Sequence, residues 1–308
     1  MNAQHTPALV AETIHWLAVK PDGLYVDATV GLGGHAFEIA RRLGTGGRLV
    51  GLDRDSEALE MARSRLQEFG EKVTLVHARF SQIGEVFAER RLPPANGVLA
   101  DLGVSSLQLD RPERGFSFRA SGPLDMRMDP RAGWEESQAA EEIVNRAEEN
   151  ALADLLYRFG EERDSRRIAR AIVRARPIRD TQHLATVVAG ARKTRGRQKL
   201  HPATKTFLAL RIAVNREMEE LEQFLVRAPA TLSPGGRWVM LSYHSLEDRL
   251  VKQHFQRMAR QGTLRILTKK VIRPSSAEIA ANPRARSAKM RVAERIAPDQ
   301  HGAPHEEA

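Results

Sequence analysis

The stretch 24–43, "LYVDATVGLGGHAFEIARRL", decides the fold, because a short apolar run leads through glycines into apolar residues at helical spacing. Gly31, Gly33 and Ala36 satisfy the G-x-G-x-x-G/A pattern in its proper setting of strand, turn and helix. Glycines at such a turn can serve only to let a strand pass tightly into a helix. Strand signals on both sides favour the second reading, a loop whose backbone approaches a ligand.

Outward from this stretch the same rhythm continues. Strand candidates are "LYVDAT" (24–29), "GRLVGLD" (47–53), "VTLVHA" (73–78), "GVLADLG" (97–103) and "RWVMLSY" (237–243). Between them lie helical patterns such as "SEALEMARSRLQEF", opened by Asp55 or Ser56 as N-cap and closed at Gly70. Strands alternating with helices over short loops predict right-handed βαβ units and a parallel sheet covered on both faces. The rhythm stops after Gly103. A loop over 104–133 carries Gly115, Gly122, Pro123, Pro130 and Gly133, and its length marks it as functional. From Trp134 to Lys199 only amphipathic helices follow, including "AAEEIVNRAEENALADLLYRFG" and "SRRIARAIVRAR". The α/β rhythm resumes with "PATKTFLALRIAVNREMEELEQFLVRAPATL", read as one long helix, then the turn "SPGG" and the 237–243 strand. "LRILTKK" and "AKMRVAERI" are candidates for a closing antiparallel pair, and "HGAPHEEA" for a frayed tail. The expected organisation is an α/β domain over 1–133 and 204–308, interrupted by a helical insert over 134–203.

With 308 residues, 42% of them hydrophobic and 28% charged, the composition is that of a globular chain with a sizeable core. The chain has no Cys, which excludes disulfides, thiolate metal sites and cysteine nucleophiles and fits a reducing compartment. No run approaches the roughly 20 apolar residues that cross a bilayer, and "MNAQHTPALVAETIHWL" lacks the order of a signal peptide. A cytoplasmic chain with no membrane partner is expected. The net charge of +9 is unevenly placed. Residues 135–164 carry ten acidic and three basic side chains, 165–199 eleven basic and one acidic, and 249–295 thirteen basic and two acidic. Single charge runs are common on solvated helix faces, but two separate basic regions point to a polyanionic partner, nucleic acid.

Which cofactor the glycine loop takes is a question of charge. A dinucleotide's pyrophosphate wants backbone N–H donors and no negative neighbour. Asp27 ends the first strand just before the glycines, where a carboxylate repels phosphate and attracts an amino group. Asp27 is equally readable as a cap or a buried hydrogen-bonded residue. Asp53, 22 residues beyond Gly31, stands where a carboxylate accepts from ribose hydroxyls and serves either cofactor. A dinucleotide fold also needs a second mononucleotide-binding half, and a helical insert stands in its place. The reading therefore favours S-adenosylmethionine, which carries an ammonium and a sulfonium and no phosphate. Ligands of open α/β sheets bind outside the carboxyl ends of the strands, so Gly33, Asp53, Phe80 and Asp101 should converge on one crevice.

Several segments together resemble one family, the bacterial small-subunit ribosomal RNA methyltransferases of the MraW or RsmH type. They are "HTPALVAETIHWL", "DATVGLGGHA", "GLDRD", "ARFSQI", "ADLGVSSLQLDRPERGFSFRASGPLDMRMD", "HPATKTFLALRIAVNREMEELEQFL" and "LSYHSLEDRLVKQHF", spanning nearly the whole chain. The run from Asp101 to Asp129 is far more specific than any glycine loop. Ala8 stands where the family commonly has Val, a change that touches local packing only. The resemblance implies a class I S-adenosylmethionine-dependent (Rossmann-like) sheet with a helical substrate-recognition insert. It also implies N4-methylation of a cytidine in the decoding region of 16S rRNA, with the small ribosomal subunit as partner, and it allows a homodimer. By the same resemblance Gly33, Gly34 and His35 lie along the methionine part of S-adenosyl-L-methionine, Asp53 on its ribose, and Phe80, Asp101 and Gln108 complete the cofactor site. No metal is implied. His35 is otherwise readable as a surface residue at a helix start, and His244 and His254 as packing or RNA-contacting residues.

Many amino-methylating enzymes carry an Asp or Asn-Pro-Pro-aromatic loop after strand four, and this chain has "DLGVSS" instead, so the grip on the base cannot be borrowed from them. The amino nitrogen of cytosine is a poor nucleophile because its lone pair is delocalised, and acceptors placed on its hydrogens favour the pyramidal form. Asp101 is the catalytic candidate, with backbone carbonyls of the next loop and Ser105 or Ser106 as weaker acceptors. The residues leave open whether Asp101 serves the base or only the cofactor. A paired cytosine hides its nitrogen, so the target is single-stranded, looped or flipped. Arg166, Arg167, Arg170, Arg174, Arg192, Lys193, Arg195, Arg197 and Lys199 are the candidate phosphate contacts. Two other readings are a nicotinamide-dependent oxidoreductase and a non-catalytic RNA-binding assembly factor.

Overall fold

The computed structural model describes residues 7–129, 138–192 and 201–297. The chain forms two compact units, one from residues 1–103 with 220–308 and one from 104–219.

Among the described residues the first unit holds seven strands: β1 (Leu24–Asp27), β2 (Arg48–Asp53), β3 (Val73–His77), β4 (Ala95–Asp101), β5 (Leu232–Ser242), β6 (Leu264–Ile266) and β7 (Lys289–Arg295). They line up as β3-β2-β1-β4-β5-β7-β6 in a single sheet. β1 to β5 are parallel, whereas β7 runs antiparallel to both β5 and β6. This is the class I methyltransferase arrangement, an open parallel sheet whose order reverses beside β1 and ends in an antiparallel pair. The "SPGG" turn bulges from β5, since Leu232 pairs with Ala95 and the register resumes only at Arg237 opposite Gly97.

Strand residues alternate between two cores, as a sheet covered on both faces requires. Val26, Val50, Leu52, Val98, Trp238 and Met240 pack with Ile83 and Val86 of α4 (Ile83–Glu89), Phe224 of α11 (Glu217–Thr231) and Phe255 of α12 (Ser245–Arg260). Tyr25, Leu49, Leu99, Val239 and Leu241 face the other way. They pack with Leu17 of α1 (Val10–Leu17), Ile39 of α2 (Gly34–Ala40) and Leu59 of α3 (Ser56–Leu66). Each such fully buried large side chain contributes about 1.5–3 kcal/mol against exposure. Asp55 caps α3, accepting from the N–H groups of Glu57 and Ala58.

The second unit is helical: α5 (Ser106–Asp110), α6 (Ala140–Arg146), α7 (Glu149–Gly160), α8 (Ser165–Arg174), α9 (Thr181–Ala191) and α10 (Thr204–Asn215). Its limits differ from the 134–203 insert read from the sequence, and the junction at 133/134 lies outside the described residues. Phe116, Leu124, Met126 and Met128 of the long loop are buried among Val144, Leu156, Ile168 and Leu210. That packing places described residues 104–129 and α10 with the helices.

The single long helix expected from 202 onward is two helices. Arg216 adopts the left-handed conformation (φ 51°), ending α10 and starting α11 at Glu217. The buried Asn215 side chain explains the break. Its Oδ1 accepts the Met128 N–H at 2.8 Å, and its Nδ2 donates to the Met126 carbonyl at 2.8 Å and the Arg211 carbonyl at 2.9 Å. Beyond it, Arg211 grips Glu217 through two hydrogen bonds of 2.7 and 2.8 Å.

Candidate functional site

The carboxyl ends of β1, β2 and β4 bring Asp27, Asp53 and Asp101 together in the first unit. Asp53 is held by backbone donors on both oxygens: Gly31 N–H to Oδ2 at 2.7 Å and Asp55 N–H to Oδ1 at 2.8 Å. Each carboxylate oxygen retains a second acceptor site, so ribose hydroxyls can still be bound. Burial pushes its pKa up to about 6, against the opposing pull of those two N–H groups.

The glycines divide by role. Gly31, at φ +50°, has open space where a Cβ would stand, with only the Thr29 carbonyl within 4 Å, at 3.9 Å, among the described residues. It is the point of the loop where a ligand can approach the backbone. A Cβ on Gly34 would meet Pro7 at 2.2 Å, so chain packing alone demands glycine there. Gly33 caps α2 with its Cβ position against Leu66. The glycine pattern includes Gly31 and Gly33, whereas the family resemblance names Gly33 and Gly34 as site residues and leaves Gly31 out.

His35 corrects one alternative: only 5% exposed, it is a buried residue of α2's first turn and not a surface one. Its Nε2 lies 3.4 Å from Asp101 Oδ2, yet neither ring nitrogen completes a hydrogen bond among the described residues. Buried nitrogens in that state are suited to a ligand's polar groups. Asp101 is fixed at the end of β4. Its N–H donates to Thr29 Oγ1 at 2.7 Å, and its Oδ1 accepts the Tyr243 hydroxyl at 2.8 Å.

Asp27, 1% exposed, accepts from the Thr29 N–H at 3.2 Å. Burial lifts its pKa to about 7, partly offset by His35, while the charges of Asp101 and Asp53 raise it further. Below neutral pH Asp27 is therefore largely protonated, and a cation nearby favours its ionised form. The three carboxyl groups would repel a pyrophosphate and can accommodate an ammonium and a sulfonium. On this observation the residues present fit S-adenosylmethionine. Phe80 is half-buried, its ring edge-to-face with Phe224 at 5.3 Å and thus held in one orientation.

Gln108 belongs to the second unit, where it forms a capping box on α5: its Oε1 accepts the Ser105 N–H at 3.0 Å, and Ser105 Oγ accepts the Gln108 N–H at 3.3 Å. The Ser105 hydroxyl is thereby engaged as a cap. His254 is a packing residue, edge-on to Trp238, its pKa lowered to about 4 by burial and by Arg257. His244 caps α12. On α8, Arg166, Arg167 and Arg174 are exposed, and Arg170 is exposed beside Glu149 at 3.3 Å. Arg192 is 20% exposed and turned to Glu162 at 3.6 Å. Lys193, Arg195, Arg197 and Lys199 lie outside the described residues.

The model of the MraW methylase family matches residues 2–296. The chain is 52% identical over 300 residues to the ribosomal RNA small subunit methyltransferase H of Gloeobacter violaceus, covering 97% of this chain and 91% of that one. It is 50% identical over 300 residues to the protein of the same name from Koribacter versatilis, covering 94% of each.

Proposed function

The chain belongs to the MraW methylase family, and on that premise we propose that it methylates the exocyclic N4 of a cytidine in the decoding region of 16S ribosomal RNA. Its methyl donor is S-adenosylmethionine, and its broader activity is methylation of small-subunit ribosomal RNA. The observation that carries the finer reading is Asp101, a partly exposed carboxylate at the end of β4, 19% accessible and anchored through its backbone and through Oδ1.

When bound, S-adenosylmethionine supplies a methyl group on a sulfonium, an electrophile ready for an uncharged nitrogen. Asp53 accepts the ribose hydroxyls with the lone pairs that Gly31 and Asp55 leave it. Gly31 gives the ligand close access to the loop backbone, Gly33 and Gly34 shape the turn beside it, and Phe80 offers a ring to the adenine. Asp27 and His35 face the charged end of the donor, His35 through its uncommitted ring nitrogens. Asp101 accepts the amino hydrogens of cytosine, which favours the pyramidal nitrogen that forms as the bond is made, and takes up the proton released. The assignment of Gln108 to the cofactor rests on the family resemblance. The exposed arginines of α8 hold RNA phosphates, positioning the strand without reading its bases.

Incubation of the purified chain with methyl-labelled S-adenosylmethionine and small ribosomal subunits from cells lacking it, followed by nucleoside mass spectrometry, tests the reading. Label in N4-methylated cytidine is expected. Label on cytosine C5, on a ribose or on no nucleoside contradicts it.

A further inference from the structure

We propose that Tyr243 is a positioning residue for methyl transfer, its phenol fixing one oxygen of Asp101 so that the ionised carboxylate presents its other oxygen to the amino group being methylated. The inference rests on the reading of Asp101 as the acceptor for that group.

The chain roots this phenol firmly. Tyr243 lies between β5 and α12, two residues past Leu241, which stands opposite Asp101 in the β4–β5 register. Its N–H donates to Glu247 Oε2 at 2.9 Å, and the buried Glu247 closes a capping box with His244 at the start of α12. One residue on, Asp248 ties the same turn to β7 through Arg291 at 2.7 Å and Lys289 at 3.7 Å. The stretch "SYHSLED" thus uses its polar residues to clamp a backbone from which one aromatic reaches the end of the neighbouring strand.

At that end the Asp101 main chain is held by Thr29 and its Oδ1 by the phenol. Oδ2 is approached by His35 Nε2 without a completed hydrogen bond, which leaves it acceptor capacity. The charged or titratable groups around the pair are His35 on α2, Asp27 on β1, and Glu247 and Glu278 on the Tyr243 side. Asp27 opposes a charge on Asp101. A phenol that donates and does not ionise favours that charge. Burial, reinforced by the charge of Asp101, drives the Tyr243 pKa far above the usual phenol range, so it remains a donor throughout the working pH.

Tyr243→Phe keeps the ring and removes the donor. In the methylation assay kcat should fall roughly tenfold or more, with KM for the methyl donor within about twofold of the wild type. An active wild type whose kcat is unmoved in Tyr243→Phe, or a variant whose KM for the methyl donor rises as much as its kcat falls, overturns the assignment of Tyr243 alone. A wild type that does not methylate cytidine N4 overturns the reading of the reaction and, with it, the role of Tyr243 in it.

Discussion

Asp27 shows how far a single residue's chemistry depends on neighbours distant in sequence. Its place at a strand end beside the glycines was legible in the sequence. Its protonation was not, because the burial comes from β2 and β4 flanking β1 and the opposing charges from Asp53 and Asp101. The folded pKa of about 7 lies above the carboxylate's unfolded value, so the native state prefers the proton. The stability that follows is fully present below about pH 4 and is lost as pH rises through about 7. Asp27→Asn imitates the protonated form and keeps an acceptor for Thr29. The variant should match the wild type at pH 4 and gain on it progressively to pH 8, by on the order of a few kcal/mol, in denaturant unfolding measured across that range. An advantage independent of pH would contradict the shift. His35 makes the same point: its sequence position fitted an exposed helix start, and only the fold shows its ring enclosed beside Asp101.

Among the elements, the strands of the sheet were read nearly in full because each announces itself by composition, and the stop in their rhythm after Gly103 marked the helical interruption. The break at Arg216 was hidden, since the apolar spacing runs through it without a glycine or proline. What divides α10 from α11 is Asn215, a polar residue whose partners are the backbone of residues 126 and 128, remote in sequence. The same residue pins the long loop, where Met126 sits in the left-handed region (φ 61°) and is completely buried. Asn215→Ala takes the side-chain partner from the buried Met128 N–H and the Met126 carbonyl and should cost about 1–3 kcal/mol or more. Urea unfolding measures the cost, and hydrogen exchange at the Met128 amide should accelerate in step. A variant of unchanged stability would mean the loop is held by other contacts, such as the Arg114 donations to the carbonyls of Arg127 and Met128.

For the molecule as a whole, charge was the legible property and the pocket was not. The positive excess over 165–199 is carried in part by α8, whose arginines stand outward while Ile168, Ala169 and Ile172 pack inward. Replacing Arg166, Arg167 and Arg174 together with alanine should raise KM for RNA roughly tenfold and flatten its dependence on salt, leaving kcat at saturating RNA near the wild-type value. A fall in kcat with KM unchanged would assign α8 to something other than phosphate contact. The proposed cofactor site, by contrast, draws on residues scattered between Asp27 and Asp101, and the sequence could only nominate them singly through the rule that ligands bind beyond strand ends. On the proposed function, this rim of three carboxyl groups takes a cationic methyl donor. The decisive measurement is a crystal structure with sinefungin, which keeps the donor's adenosine and adds an amine. Ligand density is expected along Gly31, with the ribose hydroxyls on Asp53 and the charged end beside Asp27 and Asp101; density elsewhere, or none at saturating ligand, rules that site out.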